Sequence, residues 1–377
     1  MSELEGTITQ RRRQTRNSIY QYLFFSETPR SKQEIASDLS LSLPTVHQNL
    51  AELFEAGLVR RAGSQKSTGG RRAMSLTIAE NARFAVGVSI TGSGLRFLAA
   101  NLNQQEIAHK KTERTDIDEI DDVGRLLADE LEIFLDEHGL NRAKLLGVGI
   151  TLPAVLDTEN DVIVFAPILH LKDTSLSKIT RYINYPTYVS NDAKSGGYAE
   201  WFTLPAQSSI AYLSLENGVG GAVLLKGAPY EGVNNRSGEF GHMTVEPNGL
   251  PCKCGKRGCL ESYCTATRIS DDMGITLEQF FDGLEQHNED YMELWKDVLW
   301  HLAMGINNLR MALDCDVVLG GFLTQFMEPY MPEIRRLAAE LNTFEADAEY
   351  IKLCRYPKRA ITLGVALHFI KEFVDSI

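Results

Sequence analysis

The loop over residues 238–261 restricts the fold more than any other segment, because it collects four metal-binding side chains in a short span. It has the sequence GEFGHMTVEPNGLPCKCGKRGCLE and contains His242, Cys252, Cys254 and Cys259. One imidazole and three thiolates form the ligand set of a closed tetrahedral zinc site, which leaves no position for a reacting group. The sequence therefore predicts a structural Zn²⁺ that holds this loop in shape and takes no part in chemistry.

Two alternative roles for these cysteines are open. They could be ordinary buried thiols, or two of them could form a disulfide. A disulfide within the CxC segment would close a very small, strained ring. The chain contains 6 cysteines and shows no secretory segment, which favours a reducing compartment. Zinc is therefore the favoured interpretation.

Length and charge suggest an acidic body with a mildly basic N-terminal region. The 377 residues have room for two or three domains, and the net charge is −12. Residues 1–80 nevertheless contain 11 Lys and Arg against 8 Asp and Glu, which fits a region that contacts a polyanion. No apolar run approaches the length of a membrane span, and the start MSELEGTITQRRR lacks a secretory signal. We expect a soluble cytoplasmic protein without a membrane partner.

The first 80 residues show a pattern of three short helices and two strands. The predicted elements are helices over 11–26, 31–40 and 43–56 and strands over 58–61 and 74–78. Ser31 and Ser42 stand at the cap positions of the second and third helices. The two strands flank a glycine-rich basic hairpin, AGSQKSTGGRR. This order predicts a winged helix-turn-helix, which places its second motif helix in the major groove of DNA.

The residues expected at the DNA are polar on the third helix and basic on the hairpin. They are Thr45, His47, Gln48, Asn49, Lys66, Arg71 and Arg72. Short polar side chains can contact base edges, and the basic ones can contact phosphates or a minor groove. The alternative is a small helical domain that contacts another protein and carries a solvated basic loop. Helix order, caps and charge together favour DNA.

From Phe84 onward strands alternate with helices, which predicts an α/β body. The segments AVGVSI, GLRFLAANL, EIAHKKTER, LLGVGITLP, IAYLSL, GAVLLKG and DVVLGG are predicted strands, and helices are predicted over 117–138, 291–313 and 361–374. The last helix is expected to pack back on the first part of this body. We place the domains at 1–80, 81–196 and 197–377.

The segments GEFGH and CKCGKRGCLE resemble the ROK family of sugar kinases and sugar-responsive repressors, and the GGRR hairpin resembles that of the ROK repressors. The resemblance covers nearly the whole chain. It implies a two-lobed actin-like, ribonuclease-H-like sugar-kinase fold behind the N-terminal domain. Because ROK kinases lack this domain, the resemblance implies a regulator that binds operator DNA, as a homodimer or a tetramer, and a sugar or sugar derivative.

The sugar site is implied by the same resemblance, residue by residue. In ROK kinases a strand ends in ND, and its Asp takes a proton from the sugar hydroxyl. The matching set in this chain is Asn191, Asp192, Glu239, His242 and Glu261. His242 would then serve twice, with one ring nitrogen on zinc and the other toward the sugar. An Asx turn after a strand is the alternative for Asp192.

The nucleotide side departs from the kinase pattern. Ser89 stands where the kinases have a carboxylate, and their second phosphate loop, which resembles GTGIGGG, has the sequence ENGVGGA over 216–222. Glu216 would place a negative charge about 4 Å from a phosphate, which at an effective dielectric of about 20 costs about 4 kcal/mol. We therefore predict a protein that binds no ATP and is not an enzyme. The rival interpretations are an active ATP-dependent sugar kinase with a DNA-binding domain, and an interaction protein that binds another protein instead of DNA.

Overall fold

The computed structural model describes residues 2–64, 74–113, 120–166, 169–205 and 207–377, and their side chains except those of residues 2–9 and 64. The N-terminal unit contains α1 (Ser2–Phe24), β1 (Arg30–Ser31), α2 (Lys32–Asp38), α3 (Leu43–Glu55), β2 (Val59–Ser64) and β3 (Met74–Ile78). Its strands form an antiparallel sheet in the order β1–β3–β2. The predicted order of helices and strands is confirmed, with β1 as an unpredicted addition.

The two predicted serine caps start α2 and α3. Ser31 Oγ accepts a hydrogen bond from Glu34 N (3.2 Å), and Ser31 N donates to Glu34 Oε2 (2.6 Å). Ser42 Oγ accepts from Thr45 N at 3.2 Å. Each bond satisfies a backbone amide that the first helical turn leaves unpaired. The caps therefore define where each helix begins and which of its residues face outward.

The first lobe is built on a five-stranded mixed sheet. Its elements are β4 (Phe84–Thr91), β5 (Gly94–Asn101), β6 (Glu106–Glu113), α4 (Ile120–Glu137), β7 (Leu145–Leu152), α5 (Ser177–Thr180) and β11 (Thr187–Asn191). The order is β11–β7–β4–β5–β6, parallel from β11 to β4 and antiparallel from β4 to β6. A second antiparallel sheet contains β8 (Val155–Asp157), β9 (Val162–Ala166) and β10 (Leu171–Ser175). The predicted strands and the acidic helix are confirmed here, except that residue 114 of the third strand and residues 117–119 of the helix lie outside the described residues.

The second lobe contains another five-stranded sheet with helices packed beside it. Its elements are α6 (Asp192–Trp201), β12 (Ile210–Leu215), β13 (Val219–Leu225), β14 (Ala228–Pro229), α7 (Glu261–Cys264), α8 (Leu277–Glu285), α9 (Glu289–Leu313), β15 (Asp316–Gly320), α10 (Met331–Leu341) and β16 (Ile351–Leu353). The strand order is β14–β13–β12–β15–β16. The boundary that we placed between residues 196 and 197 falls inside α6, so no linker separates the two lobes there.

The last helix, α11 (Ala360–Ser376), packs against the first lobe as predicted. Its backbone approaches two other elements so closely that only glycine fits. A Cβ on Gly87 of β4 would lie 1.8 Å from Thr362 O, and a Cβ on Gly364 would lie 1.8 Å from Ser195 O of α6. Because these contacts leave no room for a side chain, α11 packs directly against both β4 and α6.

The N-terminal unit shares a hydrophobic core with the body. The ring of Phe24, at the end of α1, lies 6.2 Å from the ring of Phe202, the residue directly after α6. Asn17 Nδ2 donates a hydrogen bond to Val374 O in α11 at 2.8 Å. The N-terminal unit is therefore packed against two helices of the body.

Among the described residues, every helix is too short or too polar to cross a lipid bilayer.

Candidate functional site

The loop over residues 238–261, called the metal-binding loop after its predicted ligands, turns back on itself through two isolated β-bridges and close backbone contacts. Cys252 N donates to Lys256 O at 2.8 Å. Gly258 has a φ of +80°, and a Cβ on it would lie 1.8 Å from Glu246 O. Glycine is therefore required where the chain reverses, and the reversal brings side chains that are close in sequence to one point.

The four predicted metal ligands meet at that point. The ligand atoms of His242, Cys252, Cys254 and Cys259 all lie within 4.8 Å of one another. Cys252 Sγ is 3.8 Å from His242 Nδ1, and Cys254 Sγ is 3.8 Å from Cys259 Sγ. A tetrahedral ion with Zn–S bonds of about 2.3 Å separates two thiolates by about 3.8 Å, whereas disulfide sulfurs lie about 2.05 Å apart. The cluster fits a tetrahedral metal ion and does not fit a disulfide.

The loop also presents two carboxylates beside the metal ligands. Glu261 Oε1 lies 2.9 Å from Cys252 Sγ and 3.7 Å from His242 Nδ1. Glu239 Oε2 lies 4.0 Å from His242 Nε2. The imidazole therefore turns one nitrogen toward the thiols and the other toward Glu239, an orientation that the predicted double use of His242 requires.

All five residues of the predicted sugar site line one cleft of about 520 Å³, the interlobe cleft. They are Asn191, Asp192, Glu239, His242 and Glu261. The first two stand at the junction of β11 and α6, and the other three come from the metal-binding loop. Carboxylates and amides of this kind can pair with neighbouring sugar hydroxyls. The structure brings the predicted set together, and the role of each residue stays a prediction.

The start of α6 holds the two polar side chains of this junction. Asn191 Oδ1 accepts a hydrogen bond within the first turn of α6, and Asn191 Nδ2 donates to Ala154 O, both at 3.0 Å. Asp192 Oδ1 accepts from Ala193 N at 2.7 Å. Burial raises the pKa of Asp192, the bond from Ala193 opposes this rise, and the charge of Glu239 adds to it. The cap of α6 is formed by Asn191, whereas the Asx-turn alternative concerns Asp192, whose oxygen accepts a bond from the next residue only.

The same cleft contains the two departures from the kinase pattern, Ser89 and Glu216. Burial and then the charge of Asp192 raise the pKa of Glu216 to about 7, although Arg96 lowers it. The backbone amide of Phe322, in the turn after β15, also lowers the pKa of Glu216. A carboxyl group of the protein thus lies near a backbone donor of this turn.

On α3, three of the four expected DNA-contacting side chains reach the surface. His47 and Gln48 are exposed and Thr45 is half-buried. Asn49 differs from the expectation. Its side chain is 3% exposed, and Nδ2 donates to Thr45 O at 2.9 Å. Because Asn49 faces the interior of the N-terminal unit and donates to the preceding turn of α3, its amide is not presented to a base edge.

The three basic residues expected on the hairpin, Lys66, Arg71 and Arg72, lie outside the described residues.

Two other cations were missed by sequence reasoning. Lys32, at the start of α2, places Nζ 2.8 Å from His47 Nδ1, and the helix order could have indicated it because a helix-turn-helix brings these two helices together. Arg96 in β5 lines the interlobe cleft, and no motif marks it.

The fold and the cleft define a two-lobed protein with a sugar-kinase-like body and an additional N-terminal unit. Residues 85–371 match the family model described as ROK family, and the chain belongs to this family. The xylose repressor of Bacillus spizizenii is 26% identical over 364 residues, which cover 93% of each chain. The DNA-binding transcriptional dual regulator NagC of Escherichia coli is 26% identical over 260 residues, which cover 67% of this chain and 62% of NagC.

Solved structures share the fold. A ROK family transcriptional regulator, described as a homologue of the E. coli MLC protein, superposes with a TM-score of 0.77 at 20% identity over 97% of both chains. A ROK family glucokinase from Streptomyces griseus, in complex with glucose and AMPPNP, gives a TM-score of 0.63 at 18% identity over 76% of this chain and 98% of the glucokinase.

Proposed function

We propose that the protein is a sugar-responsive transcriptional repressor that binds operator DNA as a homodimer, or as a pair of dimers, and binds a sugar in the interlobe cleft. Two kinds of similarity support this. The similar regulators are named for xylose and for N-acetylglucosamine. The regulator fold spans 97% of the chain, whereas the glucokinase fold spans 76%. The part of the chain that the regulator covers and the glucokinase does not is about the size expected of a DNA-binding unit added to a kinase-like body.

The N-terminal unit would act as a winged helix-turn-helix. Its α2 and α3 would form the helix pair, and β2 and β3 the wing. Exposed His47 and Gln48 on α3, with Lys32 beside them, are the side chains that this arrangement would bring to the major groove. Two half-sites one helical turn apart would be the matching operator for a symmetric dimer.

One helix joins the proposed sugar site to the proposed DNA-binding unit, and this observation carries the proposal. Helix α6 begins at Asp192 in the cleft and ends at Trp201, and Phe202 follows it directly. The Phe202 ring lies 6.2 Å from the ring of Phe24, the last residue of α1, and 6.4 Å from that of Phe25, the next residue. A displacement of the helix start by a bound sugar would therefore reach the N-terminal unit through packed aromatic rings.

The sugar would act by favouring one arrangement of the lobes. A ligand shifts a two-state equilibrium only by its difference in affinity for the two states, and moving from mostly DNA-bound to mostly released needs about 3 to 5 kcal/mol. Because α6 contacts both α11 and the N-terminal unit, closure of the cleft would change the spacing of two DNA-binding units in a dimer.

The metal-binding loop would have a supporting role. His242, Cys252, Cys254 and Cys259 would hold Zn²⁺, and four such ligands leave no open position on the ion. A metal held this way supplies rigidity to the loop. The loop can then hold Glu239 and Glu261 in the cleft.

The proposal is tested by DNA binding with and without sugar. Operators are selected from random-sequence DNA, and their affinity is measured by fluorescence anisotropy at fixed salt with a panel of sugars that includes xylose, glucose and N-acetylglucosamine. We expect one or more sugars to weaken operator binding at least tenfold. Asp192→Asn should abolish this response and keep operator binding, whereas the exposed control Asp272→Asn should behave as wild type.

The kinase alternative is tested on the same proteins with Mg-ATP in a coupled assay. We expect no phosphorylation of any sugar in the panel, because Glu216 and Ser89 replace the phosphate-binding pattern. Sugar phosphorylation that disappears in Asp192→Asn would overturn the assignment as a regulator without enzymatic activity. The absence of salt-sensitive, sequence-selective DNA binding would favour the interaction-protein alternative instead.

A further inference from the structure

Phe165 is a large aromatic side chain on the wall of the interlobe cleft that the proposed function leaves unused. It lies in β9, lines the cleft and is 50% exposed. An aromatic ring in a cleft with convergent polar groups is a common feature of small-molecule sites, where it covers an apolar face of the ligand. Exposing this ring to water has an unfavourable free energy that a ligand would remove.

The position of Phe165 is tied to the proposed sugar site through two short connections. Asn191 Nδ2 donates to Ala154 O at 3.0 Å, and the next residue, Val155, pairs with Phe165 between β8 and β9. The aromatic ring and the amide of Asn191 are therefore attached to the same short segment of backbone.

A β-bulge lies at this pairing. Val155 pairs with Phe165 and Leu156 pairs with Ile163, so β9 contains one more residue than β8 between the two pairs. Bulges redirect the side chains next to them and are frequent at functional sites. Ile163 is fully buried in the core of the first lobe, whereas Phe165, two residues later, is exposed in the cleft.

The size of the cleft exceeds that of one sugar ring. A pyranose of twelve heavy atoms fills about 150 to 200 Å³ at the packing density of protein interiors, and the cleft measures about 520 Å³. The polar residues of the proposed site account for one ring, and the cleft also extends along Ser89 and Glu216. The volume beyond one ring is therefore shared between these two ends of the cleft, and a second ring would find room in it.

The charge of the cleft restricts the chemistry of the ligand. Four carboxyl groups line it, those of Asp192, Glu216, Glu239 and Glu261, against the cations of Arg96, Lys194 and Lys358, of which Lys194 is paired with Glu231. Three of the four carboxyl groups, those of Asp192, Glu239 and Glu261, belong to the proposed site of the first ring. A phosphate or carboxylate on that ring would therefore meet like charges, which is unfavourable in a partly buried site. Neutral sugars carry no such penalty and offer hydroxyl donors to the carboxylates.

We propose that Phe165 is the platform of a second sugar subsite and that the effector is a neutral disaccharide or longer oligosaccharide. One ring lies against Asn191, Glu239 and Glu261, and the C–H face of the next ring stacks on Phe165. This inference rests on the proposed function, because it assigns the class of sugar that the same cleft takes.

Isothermal titration calorimetry on the full-length protein tests the inference. The probes are maltose, cellobiose, lactose, sucrose and xylobiose, together with their constituent monosaccharides. We expect at least one disaccharide to bind about tenfold more tightly than its monosaccharides. Phe165→Ala should weaken that disaccharide about tenfold and change monosaccharide affinity less than twofold, whereas Phe165→Trp should retain the disaccharide.

A matched control is Phe344→Ala, since Phe344 is 83% exposed and does not line the cleft. It should leave every affinity unchanged. Unchanged disaccharide binding in Phe165→Ala would refute the platform and leave the proposed function standing. Equal weakening of monosaccharides and disaccharides would place Phe165 at the first ring and refute the second subsite. Binding of no sugar at all by the wild type would refute the proposed function and the inference with it.

Discussion

Replacing Glu216 by Gln should stabilise the protein above neutral pH and have little effect in acid. The pKa of Glu216 rises from an ordinary value of 4.5 to about 7 because the half-buried carboxyl is partly shielded from water and lies near the charge of Asp192. A carboxyl whose pKa is raised on folding destabilises the folded state once it ionises. The cost is absent below pH 4.5 and complete above pH 7. Each pKa unit corresponds to about 1.4 kcal/mol, so the cost is up to about 3 kcal/mol at pH 8 and about 1 kcal/mol at pH 5.

The assay is urea unfolding of the wild type and of Glu216→Gln at pH 5 and pH 8, monitored by tryptophan fluorescence. Glutamine is neutral at both pH values and has nearly the same size and shape as glutamate. The advantage of the variant in free energy of unfolding should therefore grow by about 2 kcal/mol between pH 5 and pH 8. Glu159→Gln, in an exposed turn, is the matched control and should show no such growth.

A constant difference between Glu216→Gln and the wild type at the two pH values would refute this reasoning. It would mean that the Glu216 carboxyl is solvated in the native protein, and that the barrier to a phosphate at this loop is much smaller than the burial implies. A variant less stable than the wild type at pH 8 would show that the ionised carboxylate has a stabilising partner, for which Arg96 is the candidate.

Two further outcomes are expected. Cys254→Ser should lower the zinc content, measured by mass spectrometry of the metal, from about one ion per chain to a small fraction, and should lower Tm by about 5 to 10 °C. The control Cys354→Ser, outside the cluster, should keep the metal. A full zinc content in Cys254→Ser would contradict the ligand assignment. Asn17→Ala removes the hydrogen bond to Val374 and should weaken the interaction between the N-terminal unit and α11 by a free energy of about 1 kcal/mol. The sugar affinity of Asn17→Ala, measured by calorimetry, should equal that of the wild type, while the factor by which sugar weakens operator binding in anisotropy should fall about fivefold. The exposed control Gln14→Ala should retain the full response. An unchanged response in Asn17→Ala would show that this contact does not couple the two sites.

Local rules predicted the features that depend on neighbouring residues. Ser31 and Ser42 cap their helices because a side-chain oxygen three residues before a free amide is sufficient to satisfy it. The metal cluster was predictable for the same reason, since all its ligands lie in one short loop. Asn49 was predicted to contact DNA because its side chain is polar. Its position in α3, however, lies on the buried face of the helix between Val46 and Leu53.

Features that join distant segments could not be predicted from one sequence. The contact of Phe24 with Phe202 depends on how the N-terminal unit docks on the body, and no local pattern encodes it. The exposure of Phe165 follows from a bulge in the pairing of β8 with β9, and apolar spacing alone would have placed the ring in the core. The resemblance to a known family supplied the sugar residues, which periodicity alone would not have selected.

The shared core of α1 with α6 and α11 has a consequence for how such proteins can be recombined. A body produced without the N-terminal unit would expose the apolar surfaces of Phe202 and Phe373 to water and would be prone to self-association. Moving the N-terminal unit of one such protein onto the body of another would therefore require the body helices that it packs against, α6 and α11, to be exchanged as well. In the proposed arrangement, DNA specificity would be changed more easily by substitutions on the outer face of α3 than by exchange of the whole N-terminal unit.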